Sequence, residues 1–204
     1  MNKCNIVCGG VISDFELTAS RIDKGIPTIC ADGGYAYIEK LGLRADVVLG
    51  DFDSFDKEKL PEKENVLVFP VRKDYTDSEI AVQYAIEHGY TDITLLGALG
   101  GRLDHALGNL NLLAYAYRNG ARATIIDGDT QVWYETAGRQ VHGKQGDILS
   151  IIPLTTKGTY TLRGLEYPLE GAPLPLTGIS NIFTGETAQV IAENAEFLLI
   201  HISQ

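Results

Sequence analysis

Cations are scarce in this chain. Lysine and arginine number 17 against 27 aspartate and glutamate, which leaves a formal charge of −10. A field of that sign repels phosphate backbones, so nucleic acid and anionic membrane are excluded as main partners. A phosphorylated ligand would need metal and local donors against that field. Long apolar runs are missing too. None reaches the roughly 20 residues that span a bilayer, and no apolar segment with a cleavage site opens the chain. The expectation is a soluble, cytoplasmic protein. Cysteine is limited to Cys4, Cys8 and Cys30, all in apolar segments. With no second Cys or His cluster to complete a zinc site, they read as buried, reduced thiols. Neither a G-x-G-x-x-G fingerprint nor a G-x-S-x-G elbow occurs. The heptapeptide GRQVHGK at 138–144 has P-loop spacing, but Gln145 replaces the Mg²⁺-binding hydroxyl. It reads as a hairpin loop.

What is present divides into two halves. Short apolar strands are predicted at Cys4–Cys8, Thr28–Ala31, Asp46–Leu49, Asn65–Phe69, Asp92–Leu96 and Ala123–Ile126. Between them helices are predicted over Tyr35–Leu41, over Asp77–His88 with Thr76 and Glu79 as a capping box, and from Leu103 to Gly120. In the last helix Leu103, Leu107, Leu110, Leu113 or Ala114, and Tyr117 fall on one face. Strands alternating with helices imply a mostly parallel sheet covered on both faces. From Thr130 onward helical periodicity stops. Short β runs follow at Val132–Glu135, Ile148–Ile152, Thr159–Leu162, Ala188–Ile191 and Phe197–Ile202, separated by Gly and Pro. The fold class is thus an N-terminal α/β domain, 1–128, followed by a C-terminal β-sandwich, 129–204.

The acids are placed unevenly. Asp51 and Asp53 end the third strand on alternate positions of an extended backbone, so both point one way. Two such charges about 4 Å apart repel by roughly 4 kcal/mol at an effective dielectric near 20. Hard oxygen ligands of this kind suit Mg²⁺ or Mn²⁺. Asp32 follows the second strand, Asp74 and Asp77 the fourth, and Asp104 the fifth. Loops after strand carboxyl ends converge on one edge of an open parallel sheet, so these acids share one rim. The stretch GALGGRLDH, 97–105, supplies the complement. Gly100 and Gly101 let backbone amides approach an anion, a helix N-terminus lies behind them, and Arg102 can fork onto phosphate oxygens. Lys73 is a second phosphate candidate. His105 and Asn109 share a helix face one turn apart.

Taken together, ADGG, GDFDS, KDYTD, GGRLDH and the late GISN at 178–181 occur in the order and spacing of the thiamine pyrophosphokinase family, which the chain resembles over nearly its whole length. The resemblance implies a homodimer with active sites between subunits and Mg²⁺-dependent transfer of pyrophosphate from ATP to the thiamine hydroxyl, releasing AMP. By that match Asp51, Asp53 and Asp77 are metal- and phosphate-site acids, with Asp104 beside them among the catalytic residues. Asp32, Lys73, Asp74, Gly100, Gly101, Arg102 and His105 are expected on ATP and its phosphates, and Ser180 and Asn181 in the thiamine pocket. Animal members carry a tryptophan in the last strand. This chain reads EFLLIH there, which leaves Phe197 as the candidate stacking ring. Two other readings fit the same acids: another Mg²⁺-dependent phosphotransferase with an Asp-x-Asp site, and a non-catalytic thiamine or nucleotide sensor.

Overall fold

A computed structural model describes residues 2–50, 66–68, 75–174 and 178–204. The chain forms two compact units, Met1–Gly128 and Asp129–Gln204. Asp51, Asp53, Lys73 and Asp74 lie outside the described residues.

The first unit is built on parallel strands β1 (Lys3–Val7), β2 (Thr28–Ala31), β3 (Val47–Gly50), β4 (Val66–Val68), β5 (Asp92–Leu96) and β6 (Arg122–Asp127). Their order is β6-β5-β1-β2-β3-β4, and each neighbouring pair runs parallel. The pleat sorts side chains to two faces. Val7, Cys30, Val48, Leu96 and Ile126 form one buried face, covered by α1 (Phe15–Ser20) and α2 (Ile38–Leu41). Ile6, Ile29, Leu49, Leu95 and Ile125 alternate with them and are equally buried. Helix α3 (Asp77–Glu87) packs on β1, β2 and β3 and against α4 (Leu103–Arg118), which lies on β6. The expected capping box is present. Glu79 N donates to Thr76 Oγ1 (3.3 Å) and Thr76 N to a Glu79 carboxylate oxygen (2.6 Å).

Three expectations need correction in this unit. Helix α1 was not expected; six residues give too short a pattern to read, although Asp14 caps it by accepting from Leu17 N. The helix expected over Tyr35–Leu41 begins instead as a 3-10 segment, Asp32–Tyr37, in which Gly34 lies under Val7 O, where a Cβ would be 2.0 Å away. In α4 the leucine stripe is buried only in part. Asn109, Leu112, Leu113, Ala114 and Ala116 face inward, while Leu103 and Leu107 are 73% and 54% exposed. Asn109 donates to Ala98 O (2.8 Å), and that tether fixes the roll of the helix.

The second unit is all-β and contains two four-stranded antiparallel sheets. One has the order β12-β9-β14-β7, made by β7 (Thr130–Glu135), β9 (Ile148–Pro153), β12 (Gly178–Ile182) and β14 (Phe197–Ile202). The other, β11-β10-β13-β8, uses β8 (Gly138–His142), β10 (Thr159–Arg163), β11 (Leu169–Ala172) and β13 (Thr187–Glu193). Trp133, Leu149, Ile151, Phe197 and Leu199 from the first sheet meet Val141, Tyr160, Leu162 and Val190 from the second in one core, as a sandwich requires. The P-loop look-alike is neither P-loop nor hairpin loop. Its Gly138–His142 forms edge strand β8, with the Arg139 guanidinium 4.8 Å over the Trp133 ring. Among the described residues no helix is long and apolar enough to cross a membrane.

A buried polar cluster closes one end of this unit. His201 Nε2 lies 2.9 Å from Asp147 Oδ2, which also accepts from Lys144 N, while Oδ1 accepts from Gln204 N. Burial opposes the charged carboxylate, but the two backbone amides and His201 outweigh it and hold the Asp147 pKa below its ordinary value. Because the folded carboxyl ionises more readily than the unfolded one, whose pKa is about 4, its stabilisation is complete above that pH. It is lost as pH falls through the folded value. Asp147→Asn is therefore expected to unfold at a urea midpoint lower by the equivalent of about 1–3 kcal/mol at neutral pH. It should also lose part of the acid-side fall in stability that the wild type shows below about pH 4. An unchanged acid limb in the variant would contradict this.

Candidate active site

The order β6-β5-β1-β2-β3-β4 reverses direction between β1 and β5. Chain leaving β1 goes to one side of the sheet, and chain leaving β5 goes to the other. Such a switch point opens a crevice outside the strand carboxyl ends. Here it is a cleft of about 580 Å³, within the usual range for small-molecule sites.

Its walls come from four turns. After β1, Gly9 lies against the Gly33–Gly34 backbone and Gly10 packs against the turn after β5: Gly10 N donates to Gly97 O (3.0 Å), and a Cβ on Gly10 would meet Gly97 O at 2.5 Å and Gly100 O at 2.7 Å. A Cβ on Gly100 would meet Val11 O at 2.0 Å. The two turns interlock through backbone, so glycine is required on both sides. The far end of the first turn is fixed by Ser13, whose N–H and hydroxyl both donate to Asp127 Oδ1 (2.8 Å each). After β2, Asp32 enters the cleft with φ +40°, a left-handed conformation that non-glycine residues rarely adopt. Backbone of this kind clusters at functional sites. The fourth wall is the start of α3, where Thr76, Asp77 and Ser78 face the cleft.

Of the residues expected from sequence, the structure thus brings Asp32, Asp77, Gly100, Gly101, Arg102 and His105 to one cleft. Asp104 lines a separate recess of about 220 Å³ with Thr76, Glu79 and His105. It pairs with Arg102 through two bonds, Nε to Oδ1 (3.1 Å) and an Nη to Oδ2 (2.6 Å), both partners being exposed. The Arg102 guanidinium, helped by the His105 amide, holds the Asp104 carboxyl down to about 2. A carboxylate that acidic is a poor proton acceptor near neutrality. Ser180 and Asn181 belong to the second unit, on β12. Asp51 and Asp53 lie outside the described residues; Gly50, which precedes them, packs on Asp32, where a Cβ would sit 3.1 Å from the Asp32 Cα.

Cys8, Gly9, Gly10, Ser78 and Asn109 also line the cleft, though the sequence did not single them out as site residues. A Gly-Gly pair closing the first strand was the available signal. Burial pushes the Cys8 thiol up to about 11, against a lowering bond from Ser78 and with Asp77 adding to the rise, so it stays a neutral thiol. Among the described residues no three metal-ligating side chains converge. The cleft does offer the carboxylates of Asp32 and Asp77 beside the hydroxyl residues Thr76 and Ser78, a hard-oxygen set that suits Mg²⁺.

Two family models match the chain: "Thiamin pyrophosphokinase, catalytic domain" over residues 19–125, and "Thiamin pyrophosphokinase, vitamin B1 binding domain" over residues 139–196. A curated thiamine pyrophosphokinase from Bacillus subtilis is 28% identical over 183 residues, 86% of each chain. The crystal structure of thiamine pyrophosphokinase from that organism superposes with a TM-score of 0.85 at 25% identity, covering 99% of both chains. The enzyme from Geobacillus thermodenitrificans superposes at 0.84 with 27% identity, over 99% of this chain and 98% of that one.

The interlock sets an order of glycine costs. Gly100→Ala should lower the thermal midpoint sharply and impair nucleotide binding, because its Cβ would collide with backbone. Gly101→Ala should cost only about 1 kcal/mol for its φ of +95°, since nothing lies within 4 Å of its Cβ position. Equal midpoints for the two variants would contradict the interlock.

Proposed function

The chain belongs to the thiamine pyrophosphokinase family, and on that premise we propose that it transfers pyrophosphate from ATP to the hydroxyl of thiamine, yielding thiamine diphosphate and AMP. The observation that carries this reading is the switch-point cleft, where glycine turns, a helix N-terminus, Arg102 and the carboxylates of Asp32 and Asp77 are gathered in the unit matched to the catalytic domain. The matches to both named domains leave the phosphotransferase and sensor readings without support.

In this reading the interlocked turns shape a cradle for the triphosphate, and the positive end of α4 faces it. Arg102 exchanges its pairing with Asp104 for phosphate oxygens. The thiamine oxygen attacks the β-phosphorus, the bond from the β-phosphorus to the oxygen bridging it to the α-phosphorus breaks, and AMP departs with that oxygen. Asp77 is better placed than Asp104 to take the hydroxyl proton, since Asp77 lines the cleft while Asp104 lines the separate recess. Asp51, Asp53 and Asp77 would hold Mg²⁺, which when bound neutralises phosphate charge and polarises the phosphorus. The proposal includes a homodimer and a cytoplasmic setting. The exposed Leu103 and Leu107 offer apolar surface for association, and three buried free cysteines suit a reducing compartment.

Incubating purified protein with ATP, Mg²⁺ and thiamine should produce AMP and thiamine diphosphate in equal amounts. ADP in place of AMP, or turnover independent of thiamine, would overturn the reading. Asp53→Asn should abolish turnover while leaving the melting temperature equal or higher, because a repelling charge is removed; a large loss of stability would instead mark Asp53 as structural.

A further inference from the structure

Two large apolar side chains stand exposed in the switch-point cleft. Val11, just past the Gly9–Gly10 turn, is 60% exposed, and Tyr75, one residue before the cap of α3, is 53% exposed. The other apolar groups of the lining, Cys8 and Ala31, are small and buried. Tyr75 is the only Phe, Tyr or Trp among the described residues that line the cleft.

We propose that Val11 and Tyr75 hold the nucleobase of the co-substrate by its faces and leave its edge unread, so that GTP donates pyrophosphate as well as ATP. This rests on the reading of a nucleoside triphosphate as donor. The bonds made and broken are the same. The thiamine oxygen bonds to the β-phosphorus, the bond from that phosphorus to the oxygen bridging it to the α-phosphorus breaks, and the hydroxyl proton passes to the same acceptor. GMP leaves in place of AMP.

The first argument is that folding leaves these side chains unused. A hydrophobic residue just before a helix cap ordinarily packs on the fourth residue of the helix. Here that residue, Ile80, is buried, while Tyr75 keeps more than half of its surface free and lines the cleft. The backbone next to it is fixed, since Thr76 N and Glu79 N are both bonded in the capping box. Val11 is fixed as well: a Cβ on Gly100 would lie 2.0 Å from Val11 O and 3.0 Å from Val11 Cβ.

The second argument is the division of the cleft by chemistry. The rest of the described lining offers glycine amides, hydroxyls, carboxylates and the Arg102 guanidinium, which suit phosphate and metal. A purine is a flat, neutral ring, and an aromatic side chain accepts any base because every base has a π-face. The third argument concerns the edge. Telling adenine from guanine takes a donor and an acceptor side by side, as a carboxamide presents them. Asn109 is the only carboxamide among the described residues of the cleft; it is buried, with its Nδ2 on Ala98 O (2.8 Å). Near the two apolar side chains, Ser13 gives its N–H and hydroxyl to Asp127, and Thr76 gives its N–H to Glu79.

The test uses the full chain with Mg²⁺ and thiamine and compares ATP, GTP and CTP as donors, with nucleotide binding measured in parallel by calorimetry. In the wild type kcat/KM for GTP should lie within about a hundredfold of that for ATP, with CTP, the smaller ring, below both. A larger preference for ATP, toward the roughly 10⁴-fold of a site that hydrogen-bonds one substrate and rejects its analogue, would overturn the proposal. Tyr75→Ala should weaken ATP and GTP alike by about tenfold or more and narrow their lead over CTP, with KM for thiamine unchanged. Tyr75→Phe and Tyr75→Trp should restore both nucleotides, and Val11→Ser should weaken both by less. Inorganic tripolyphosphate, which has no base, should inhibit the wild type and Tyr75→Ala equally. Weaker tripolyphosphate inhibition of Tyr75→Ala would make the tyrosine a support of the phosphate cradle, and unchanged nucleotide affinity would remove it from the site; either result overturns the assignment. Wild-type protein that binds ATP and GTP yet forms no AMP or GMP with thiamine would defeat the reaction, while the Tyr75 variants still decide the stacking by calorimetry. Wild-type protein that binds neither nucleotide would defeat both.

Discussion

The contact between two backbone turns at the switch point is the constraint on which the first unit depends. Gly10 gives its amide to Gly97 O, and neither Gly10 nor Gly100 has room for a single methyl group. Side chains at these positions would part the turns and open the sheet between its two central strands. Because the contact is made by backbone alone, the carboxyl ends of β1 and β5 are held at fixed separation whatever occupies the cleft. Ser13 on Asp127 anchors one turn, and Asn109 on Ala98 O anchors the other. Rigid support of this kind is what positions groups for a reaction that asks little covalent chemistry of the protein.

Charge organises the rest of the cleft. The chain as a whole is acidic, yet the proposed substrate is a polyphosphate, so attraction has to be local. Arg102 and the N-terminal end of α4 provide it on one side. Asp32 and Asp77 on the other side suit a bound cation better than a bare phosphate. The Arg102–Asp104 pair keeps the guanidinium oriented and exposed while no anion is present. While that pair holds, Asp104 is a counter-ion and not a base.

Much of this could be read from residues alone, for reasons that differ by element. The strands Thr28–Ala31, Asp92–Leu96 and Phe197–Ile202 have the bounds expected, because short, bounded apolar runs leave little choice. Strands β8, β11 and β12 were missed because each is only four or five residues long, contains a glycine and has no two adjacent large apolar side chains. The leucine stripe of α4 is buried at Leu113 and Ala114 but exposed at Leu103 and Leu107. Spacing defines a stripe, but not how much of its length is covered, and the buried polar Asn109, bonded to Ala98 O, belongs to no apolar pattern. At the site, the acids and GGRLDH were legible because they follow strands, whereas the value of Gly10 depends on a neighbour almost ninety residues away. Likewise nothing near Asn181 in sequence announces that its amide is engaged by Tyr167.

The most direct measurement is a crystal structure of the full chain with Mg²⁺ and an ATP analogue whose bridging oxygen between the α- and β-phosphorus is replaced by methylene. The account places the triphosphate between the Gly9–Gly10 turn and the Gly100–Arg102 turn, with Asp77 on the metal side and Arg102 released from Asp104. A triphosphate bound elsewhere, or bound here with the Arg102–Asp104 pair intact and the glycine turns apart, would contradict it.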